Sequence, residues 1–341
     1  MPSLTLIATQ QESEMLKAFL ESVSAIKNDV KINQLTALIE RGDIDGAIKL
    51  LGLDPSAFEG MDEALRQAYR TGGMTGAIQI GEVPTENGDI PFRFNMRSPA
   101  AEQWLLRESS RLIVEMSDGQ QELVREVLTE GLEQGINPRQ QALGLVGRMD
   151  STGKRTGGFI GLTTQQAGWV VNARDELENL SPNYFTRELR DKRLDPVIKR
   201  AMSEGKELTP EQINRAITRL QGRTLKYRGD VIARTESIKA LRAGQHESIN
   251  QAVDKGEVDE QDVTRIWDST GNDGRTRDNH LLMEGQTRKQ GEPFDFPFGG
   301  QAMFPSDDSL GAPASELIQC RCRENTQIDF LGKLKRVEGF K

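Results

Sequence analysis

Apolar residues recur every three or four positions over most of residues 1–255, which is the spacing of amphipathic helices. Two early runs show this spacing: Leu16, Phe19, Leu20 and Val23, then Ile32, Leu35, Leu38 and Ile39. Turn-forming residues interrupt the pattern after the second run, namely Gly42, Gly46, Pro55 and Gly60. The pattern predicts a small acidic domain of short helices over residues 1–80.

The helical pattern stops at residues 81–98, where turn formers precede a weak alternation of apolar and polar residues. We predict a hinge with a short strand there. Ser98 followed by Pro99 is a typical helix start, so a helical middle region is predicted over residues 99–255. Its longest run, Arg215 to Val253, is expected to be interrupted at three glycines: Gly222, Gly229 and Gly244.

After Gly256 the composition changes to that of loops and strands. Val263 to Trp267 is predicted to be a strand that anchors a small core, and Cys320 to Phe330 a second strand. Between them lies a long irregular segment rich in proline and glycine, which we call the excursion. It contains Pro293, Pro297, Gly299, Gly300, Pro305 and Pro313. The predicted fold class is α+β, with mostly α-helical N-terminal and middle regions, a small loop-rich α+β C-terminal domain over residues 256–330, and a basic tail at 331–341.

Four of the chain's twelve phenylalanines lie on that excursion: Phe294, Phe296, Phe298 and Phe304. They are predicted to close over the small core. The alternative is that they face a partner protein, since clustered exposed apolar side chains are typical of interaction sites.

The net charge of −8 argues against general coating of nucleic acid, but the charge is uneven. Fifteen Lys and Arg accompany eight Asp and Glu between Arg187 and Arg242. They either decorate solvated helix faces or form a DNA-facing surface, for which the candidates are Arg190, Lys192, Arg193, Lys199 and Arg200. There is no run of eighteen apolar residues and no secretory leader pattern, so no membrane contact is expected and the chain should stay where it is made.

The chain's two histidines and two cysteines all lie between Arg234 and Cys322. Cys320 and Cys322 would share a face of an extended segment, so both sulfurs could point at one metal ion. With His280 they would supply three ligands of a tetrahedral zinc. The fourth ligand has three candidates: Asp273, Asp268 and His246. The alternative is that the thiols are small buried side chains with no ligand.

The same region supports a second hypothesis, in which Asp268, Asp273, Asp278 and His280 gather a divalent metal for an enzyme acting on nucleic acid, and Glu236 with nearby arginines binds a nucleotide. The order of residues in a catalytic triad, a glycine-rich cofactor loop and the HExxH motif are all missing from the sequence. In an interaction domain these residues need only hold a loop-rich core together, which requires fewer exact placements than a catalytic site. A non-enzymatic role is therefore expected.

Two local arrangements are expected around these residues. Arg234 and Glu236 do not share a helix face, so each should tether a different part of the C-terminal domain. Asp273 should cap a short helix at Arg277 to Glu284 and accept a hydrogen bond from Arg275 or Arg277.

Taken together, an Arg-Thr-Glu helix, a tryptophan, Asp-x-Arg-Thr-Arg-x-x-His, a glycine, a proline-rich loop and Cys-Arg-Cys resemble the C-terminal domain of phage Mu F-like head morphogenesis proteins, which are minor head proteins of tailed bacteriophages. The resemblance covers about the last third of the chain, and His246 has no place in it. The matching residues are Arg234, Thr235, Glu236, Trp267, Asp273, Arg275, Thr276, Arg277, His280, Gly285, Pro305, Cys320 and Cys322.

The resemblance implies assembly in the host cytoplasm and low-copy incorporation into the virion, in the capsid interior near the portal. It also implies association with the portal protein and an influence on DNA packaging or ejection. Scaffold, major capsid protein and phage DNA are further expected partners. The acidic N-terminal helices are candidates for docking on portal or scaffold, and the basic middle helices for meeting DNA.

Overall fold

The computed structural model describes residues 4–83, 88–271 and 274–330. Within these ranges the fold is α+β with a large helical majority and short antiparallel strands, which confirms the predicted fold class. Each described helix is either too short or too polar to cross a bilayer. The predicted basic tail at 331–341 lies outside the described residues.

Eleven α-helices occur in the described ranges. Their bounds are α1 Leu4–Asp29, α2 Ile32–Glu40, α3 Ile44–Leu50, α4 Glu59–Ile80, α5 Pro99–Glu133, α6 Pro138–Val146, α7 Thr164–Glu178, α8 Asp195–Glu204, α9 Pro210–Asp254, α10 Asp278–Leu282 and α11 Ala314–Leu317. The predicted helix start at Pro99 is confirmed. At α7, Thr163 and Gln166 form a reciprocal capping box that satisfies two backbone N–H groups.

The nine described strands are short and pair only in antiparallel fashion. Their bounds are β1 Glu82–Val83, β2 Ile90–Pro91, β3 Arg148–Met149, β4 Arg155–Thr156, β5 Val263–Asp268, β6 Thr287–Lys289, β7 Phe294–Asp295, β8 Gln301–Ala302 and β9 Arg323–Ile328. β1 and β2 form a hairpin within the predicted hinge. The largest sheet has the order β6-β5-β9, and β5 pairs with β9 from Val263↔Ile328 to Asp268↔Arg323.

The expected helix breaks were wrong at several glycines. α9 runs for 45 residues through Gly222, Gly229 and Gly244. The predicted junction at Pro55 and Gly60 is present, because a 3-10 helix at Pro55–Phe58 ends where α4 begins. Two N-terminal helices, α1 with 26 residues and α4 with 22, are longer than the predicted short helices. A glycine inside a helix costs only about 1 kcal/mol relative to alanine, so the packing of a long helix overrides it.

The chain divides into two compact units, and each combines segments that are distant in sequence. The first unit contains residues 1–16, 61–110 and 231–341, and the second contains 17–60 and 111–230. The consecutive domains predicted from the sequence stay a prediction. Hydrophobic periodicity locates helices but does not say which helices pack side by side, so it could not reveal this discontinuous arrangement.

In the first unit, α4 and the last part of α9 approach each other through glycines. A Cβ atom on Gly72 would lie 1.9 Å from the carbonyl oxygen of Leu241, and one on Gly244 would lie 2.1 Å from that of Tyr69. Side chains at these positions would separate the two backbones. The glycines thus serve close helix packing, and α9 leads directly into the C-terminal domain of the same unit.

In the second unit, apolar residues of α7, α8 and the first part of α9 form one core with the fully buried Tyr184. Other members of this core are Leu162, Val170, Ala173, Leu177, Ile198, Leu208, Ile213, Ala216, Ile217 and Leu220. Lys199 and Arg200 of α8 therefore lie on a helix whose inner face is fixed in this core through Ile198.

Two glycine substitutions in α9 should have opposite effects on stability. Gly244→Ala should lower the free energy of unfolding by about 1–3 kcal/mol, because the added methyl group overpacks the contact with Tyr69. The matched control Gly222→Ala should raise it by up to about 1 kcal/mol, because nothing lies within 4 Å of its Cβ and alanine is the better helix former. Thermal and urea unfolding followed by circular dichroism measure both. A Gly244→Ala protein at least as stable as wild type would contradict the close packing.

Candidate functional site

Trp267 at the end of β5 anchors the small C-terminal core, as predicted. Its indole is fully buried, and the rings of Phe294 and Phe296 lie 5.3 and 5.7 Å from it, centroid to centroid. Phe304 is also buried, whereas Phe298 is 76% exposed between β7 and β8. The prediction that these phenylalanines close over the small core is confirmed for Phe294 and Phe296, whereas Phe304 is buried beside His246 and the prediction is wrong for Phe298.

Arg265 is fully buried on the same inward face of β5 as Trp267. Its guanidinium donates to the backbone oxygens of Lys289 (2.9 Å), Glu292 and Met303 and lies 3.3 Å from the Glu324 carboxylate. Burial raises the pKa of Glu324, and the charge of Arg265 opposes that shift. Arg265 was not among the predicted site residues. A charged residue at a position where the alternation of β5 places side chains in the core was the signal that could have identified it.

His280, Cys320 and Cys322 form a buried cluster beside Trp267. His280 Nδ1 lies 3.1 Å from the sulfur of Cys322 and 3.7 Å from that of Cys320. One potential ligand atom from each residue lies within 4.8 Å of the other two, and this is the one such set found in the described ranges. The structure thus brings together three of the predicted ligands, although the cysteines precede β9 instead of lying within the predicted strand.

Glu316 of α11 fixes the orientation of the His280 ring. Its carboxylate lies 2.8 Å from Nε2 of His280 and accepts a hydrogen bond from the side-chain amide of Asn279 at 2.5 Å. A proton on Nε2 would be held by this carboxylate, which leaves Nδ1 with its lone pair facing the two sulfurs. The arrangement presents an imidazole nitrogen and two sulfurs to one point.

The two thiols of the cluster differ in acidity. A hydrogen bond from the Cys322 thiol holds the pKa of Cys320 well below its usual range, although burial opposes this shift. The same hydrogen bond raises the pKa of Cys322, and burial adds to the effect. Cys320 is therefore favoured as the thiolate, the form that ligates metals.

The other predicted ligands do not join this cluster within the described residues. Asp268 accepts the backbone N–H of Thr270 at 2.8 Å, Asp278 is exposed at the start of α10, and His246 lies elsewhere in the unit. The carboxylates proposed for a nuclease-like site are therefore not gathered around His280 in the described ranges. Sequence proximity had suggested otherwise, but nearness along the chain does not by itself bring side chains to one point. Asp273, with its predicted capping role, lies outside the described residues.

The Arg-Thr-Glu helix contributes through its middle residue. The Thr235 hydroxyl accepts the backbone N–H of Gln319, directly before Cys320, at 3.1 Å. Arg234 instead pairs with Glu12 of α1 at 3.2 Å, and Glu236 is half-buried. Arg234 was expected to tether part of the C-terminal domain, but its ion pair is with α1 instead. Helix-face geometry cannot reveal a partner 222 residues away.

A cavity of about 380 Å³ adjoins the cluster, and Cys322 and His280 form part of its wall. Four arginines also line it: Arg234, Arg275, Arg277 and Arg321. The guanidinium of Arg277, the residue before α10, donates to the backbone oxygens of Glu316 (3.4 Å) and Ile318 and so fixes the segment before the cysteines. Gly285, at φ +73°, donates its N–H to the carbonyl of Trp267 at 3.0 Å in a turn that favours glycine.

The predicted DNA-facing residues separate into two groups. Arg190 pairs with Asp195 at 3.0 Å with both side chains mostly buried, and Arg193 pairs with Asp191 at 2.7 Å. These two charges are neutralised locally. The exposed remainder is Lys192, Lys199 and Arg200.

His246 is buried in α9, with its ring centroid 5.3 Å from that of Phe304. Its Nδ1 has no hydrogen-bond partner among the described residues. Burial lowers the pKa of His246 to about 3, and the nearby charge of Arg265 adds to this effect. His246 is thus a neutral core residue at physiological pH.

Residues 192–324 match the family described as Phage Mu protein F like protein. The match includes the buried cluster, the Arg265 site and the Arg-Thr-Glu helix, and it covers less than half of the chain. It confirms the family predicted from the motif. Searches of curated proteins and of solved structures found no match to the chain.

Stability should fall on acidification because of His246. Its pKa is lowered in the folded state, so below pH 6.5 the unfolded chain takes up a proton that the folded chain refuses until about pH 3. This contribution is fully present above pH 6.5, and about 2 kcal/mol of it should be lost at pH 5. His246→Phe should therefore lose about 2 kcal/mol less than wild type between pH 7.5 and pH 5, as measured by urea unfolding. Identical losses in the two proteins would contradict a buried neutral His246.

Proposed function

We propose that the chain is a minor head protein of a tailed bacteriophage, because residues 192–324 match the family described as Phage Mu protein F like protein. In this proposal it assembles in the host cytoplasm, enters the procapsid in few copies, and occupies the capsid interior near the portal. It associates with the portal protein and influences DNA packaging or ejection. The family match over the C-terminal domain is the observation that carries the proposal.

The proposed role is non-enzymatic. The polar groups inside the C-terminal domain bind other segments of the same domain. Arg265 binds backbone oxygens of the excursion and its flank, and His280 of α10 contacts Cys322 in the segment directly before β9. The side chains of His280, Cys320 and Cys322 are each at most 2% exposed. A rigid loop-rich domain on a long helix supports an assembly function, because loops held by a scaffold are common binding surfaces.

Further partners follow from charge. Exposed acidic residues of the N-terminal helices, such as Glu40 and Asp45, suit contacts with portal or scaffold, and major capsid protein is a further partner in the shell. Of the five predicted DNA-facing residues, Lys192, Lys199 and Arg200 are the three that are free of the ion pairs described above. They are the residues that we propose for contact with phage DNA.

Incorporation of the chain should depend on the portal. Procapsids assembled by co-expression with the portal, scaffold and major capsid proteins of the same phage should contain the chain. Assembly without portal should reduce its amount at least tenfold, because the docking partner is missing. Quantitative mass spectrometry of sedimented particles measures the ratio of the chain to major capsid protein. Equal incorporation with and without portal would contradict portal association and leave the shell as the partner.

DNA contact should depend on the three exposed cations. The triple variant Lys192→Glu, Lys199→Glu, Arg200→Glu should bind duplex DNA about tenfold or more weakly, and the slope of log affinity against log salt should fall by about 2–3, because fewer counterions are released. Fluorescence anisotropy at several salt concentrations measures both quantities. Arg190 and Arg193 stay unchanged because their ion pairs hold the fold.

A matched control carries the same change in net charge at exposed positions of α2 and α3 and their flanks: Lys31→Glu, Arg41→Glu and Lys49→Glu. It should keep most of the affinity and the full salt slope. If the first triple variant binds as wild type does, or if both triple variants weaken binding equally, the proposed DNA-facing surface is wrong.

A further inference from the structure

The buried cluster has the donor set of a zinc site. We propose that the C-terminal domain binds one Zn²⁺ through Nδ1 of His280 and the sulfurs of Cys320 and Cys322, and that this ion is structural. The inference rests on the geometry of these three side chains, and it holds whether or not the chain associates with a portal.

The distances in the cluster match those around a tetrahedral zinc. With Zn–S near 2.3 Å and Zn–N near 2.0–2.1 Å, tetrahedral angles place nitrogen and sulfur about 3.5 Å apart. The two nitrogen–sulfur distances here are 3.1 and 3.7 Å, one on each side of that value. Both nitrogen–sulfur distances therefore lie within tenths of an ångström of the tetrahedral value.

The surroundings of His280 are those of a metal-ligating imidazole. A ligating histidine usually donates its other ring N–H to a carboxylate, which fixes the ring and makes the coordinating nitrogen a better donor. Glu316 occupies this position at 2.8 Å, and Asn279 holds the second oxygen of the same carboxylate. We therefore assign Glu316 a positioning role in zinc affinity.

The chemistry of the donors favours zinc. Two thiolates and an imidazole suit Zn²⁺, whereas Mg²⁺ and Ca²⁺ require oxygen ligands. Binding would displace the proton that remains on the thiol pair, so the buried cluster would exchange hydrogen bonds for coordination bonds. Three protein ligands leave one tetrahedral position, which a water molecule from the adjoining arginine-lined cavity would complete, so the structural role of the ion would rest on its three bonds to protein.

A bound ion would close the longest irregular segment of the domain. His280 and Cys320 are separated by 40 residues, which include β6, β7, β8 and α11. Linking their ends in the folded state removes freedom that a loop of this length otherwise keeps. The ion would thereby hold the segment directly before β9 against α10. Its removal should therefore loosen the C-terminal domain before the rest of the chain unfolds.

The experiment uses the full chain, purified without chelator and without a metal-affinity column. Elemental analysis should find about one zinc per chain. Removal of zinc with a chelator should lower the unfolding temperature, and one equivalent of Zn²⁺ should restore it. One equivalent of Co²⁺ should give the thiolate-to-cobalt absorption and the strong visible bands of a tetrahedral site.

Variants then assign the ligands. Cys320→Ser and Cys322→Ser should each lose the thiolate-to-cobalt absorption in part or whole and bind zinc at least tenfold more weakly. Glu316→Gln keeps all three ligands and should bind zinc roughly 10–100-fold more weakly, because the ring loses its carboxylate partner. His246→Gln, the matched control at the other histidine of the unit, should keep full zinc content.

The wild-type cobalt spectrum and the Glu316→Gln affinity keep the test decisive even if a cysteine variant fails to fold. The proposal is overturned if the wild-type chain contains no zinc and binds neither Zn²⁺ nor Co²⁺ when one equivalent is added. It is also overturned if both cysteine variants keep wild-type zinc affinity. In either case the cluster would be a metal-free hydrogen-bonded core.

Discussion

The guanidinium of Arg265 lies in the C-terminal core, where its charge must be satisfied by protein atoms because water does not reach it. Backbone oxygens of the excursion and the carboxylate of Glu324 supply those partners. A loop-rich segment has few ladder hydrogen bonds of its own, so a buried donor with five N–H groups is an efficient way to fix it. The guanidinium also lies over the ring of Phe294, 5.0 Å from its centroid, and so contacts the aromatic core as well.

The C-terminal domain therefore has two internal junctions of different chemistry. One is the Arg265 site, which holds the excursion against β5. The other is the cluster of His280, Cys320 and Cys322, which holds the segment directly before β9 against α10. Thr235 of α9 also holds this segment, through its hydrogen bond with Gln319. These junctions explain how a domain with short strands keeps a defined shape, and why the motif residues are spread over about ninety positions.

The sequence predicted the fold class and the approach of His280, Cys320 and Cys322, since extended spacing and the scarcity of these residue types were sufficient. It did not predict partners that depend on distant segments. Glu12 beside Arg234 and Glu316 beside His280 come from elements whose packing no local pattern reveals. The helix breaks expected at the glycines of α9 were wrong for a related reason. In the sequence alone Gly244 favours a helix break, but in the structure it lets the backbone of α4 pack closely against α9.

The central position of β5 has a consequence for the timing of folding. Arg265 is synthesised 59 residues before Glu324, and β9 is the last strand described. At about 5–20 residues per second, a ribosome leaves the charged strand without its final partner for roughly 3–12 seconds. The domain can close only when nearly all of it has been made, so an interrupted chain would leave the edge of β5 that pairs with β9 exposed.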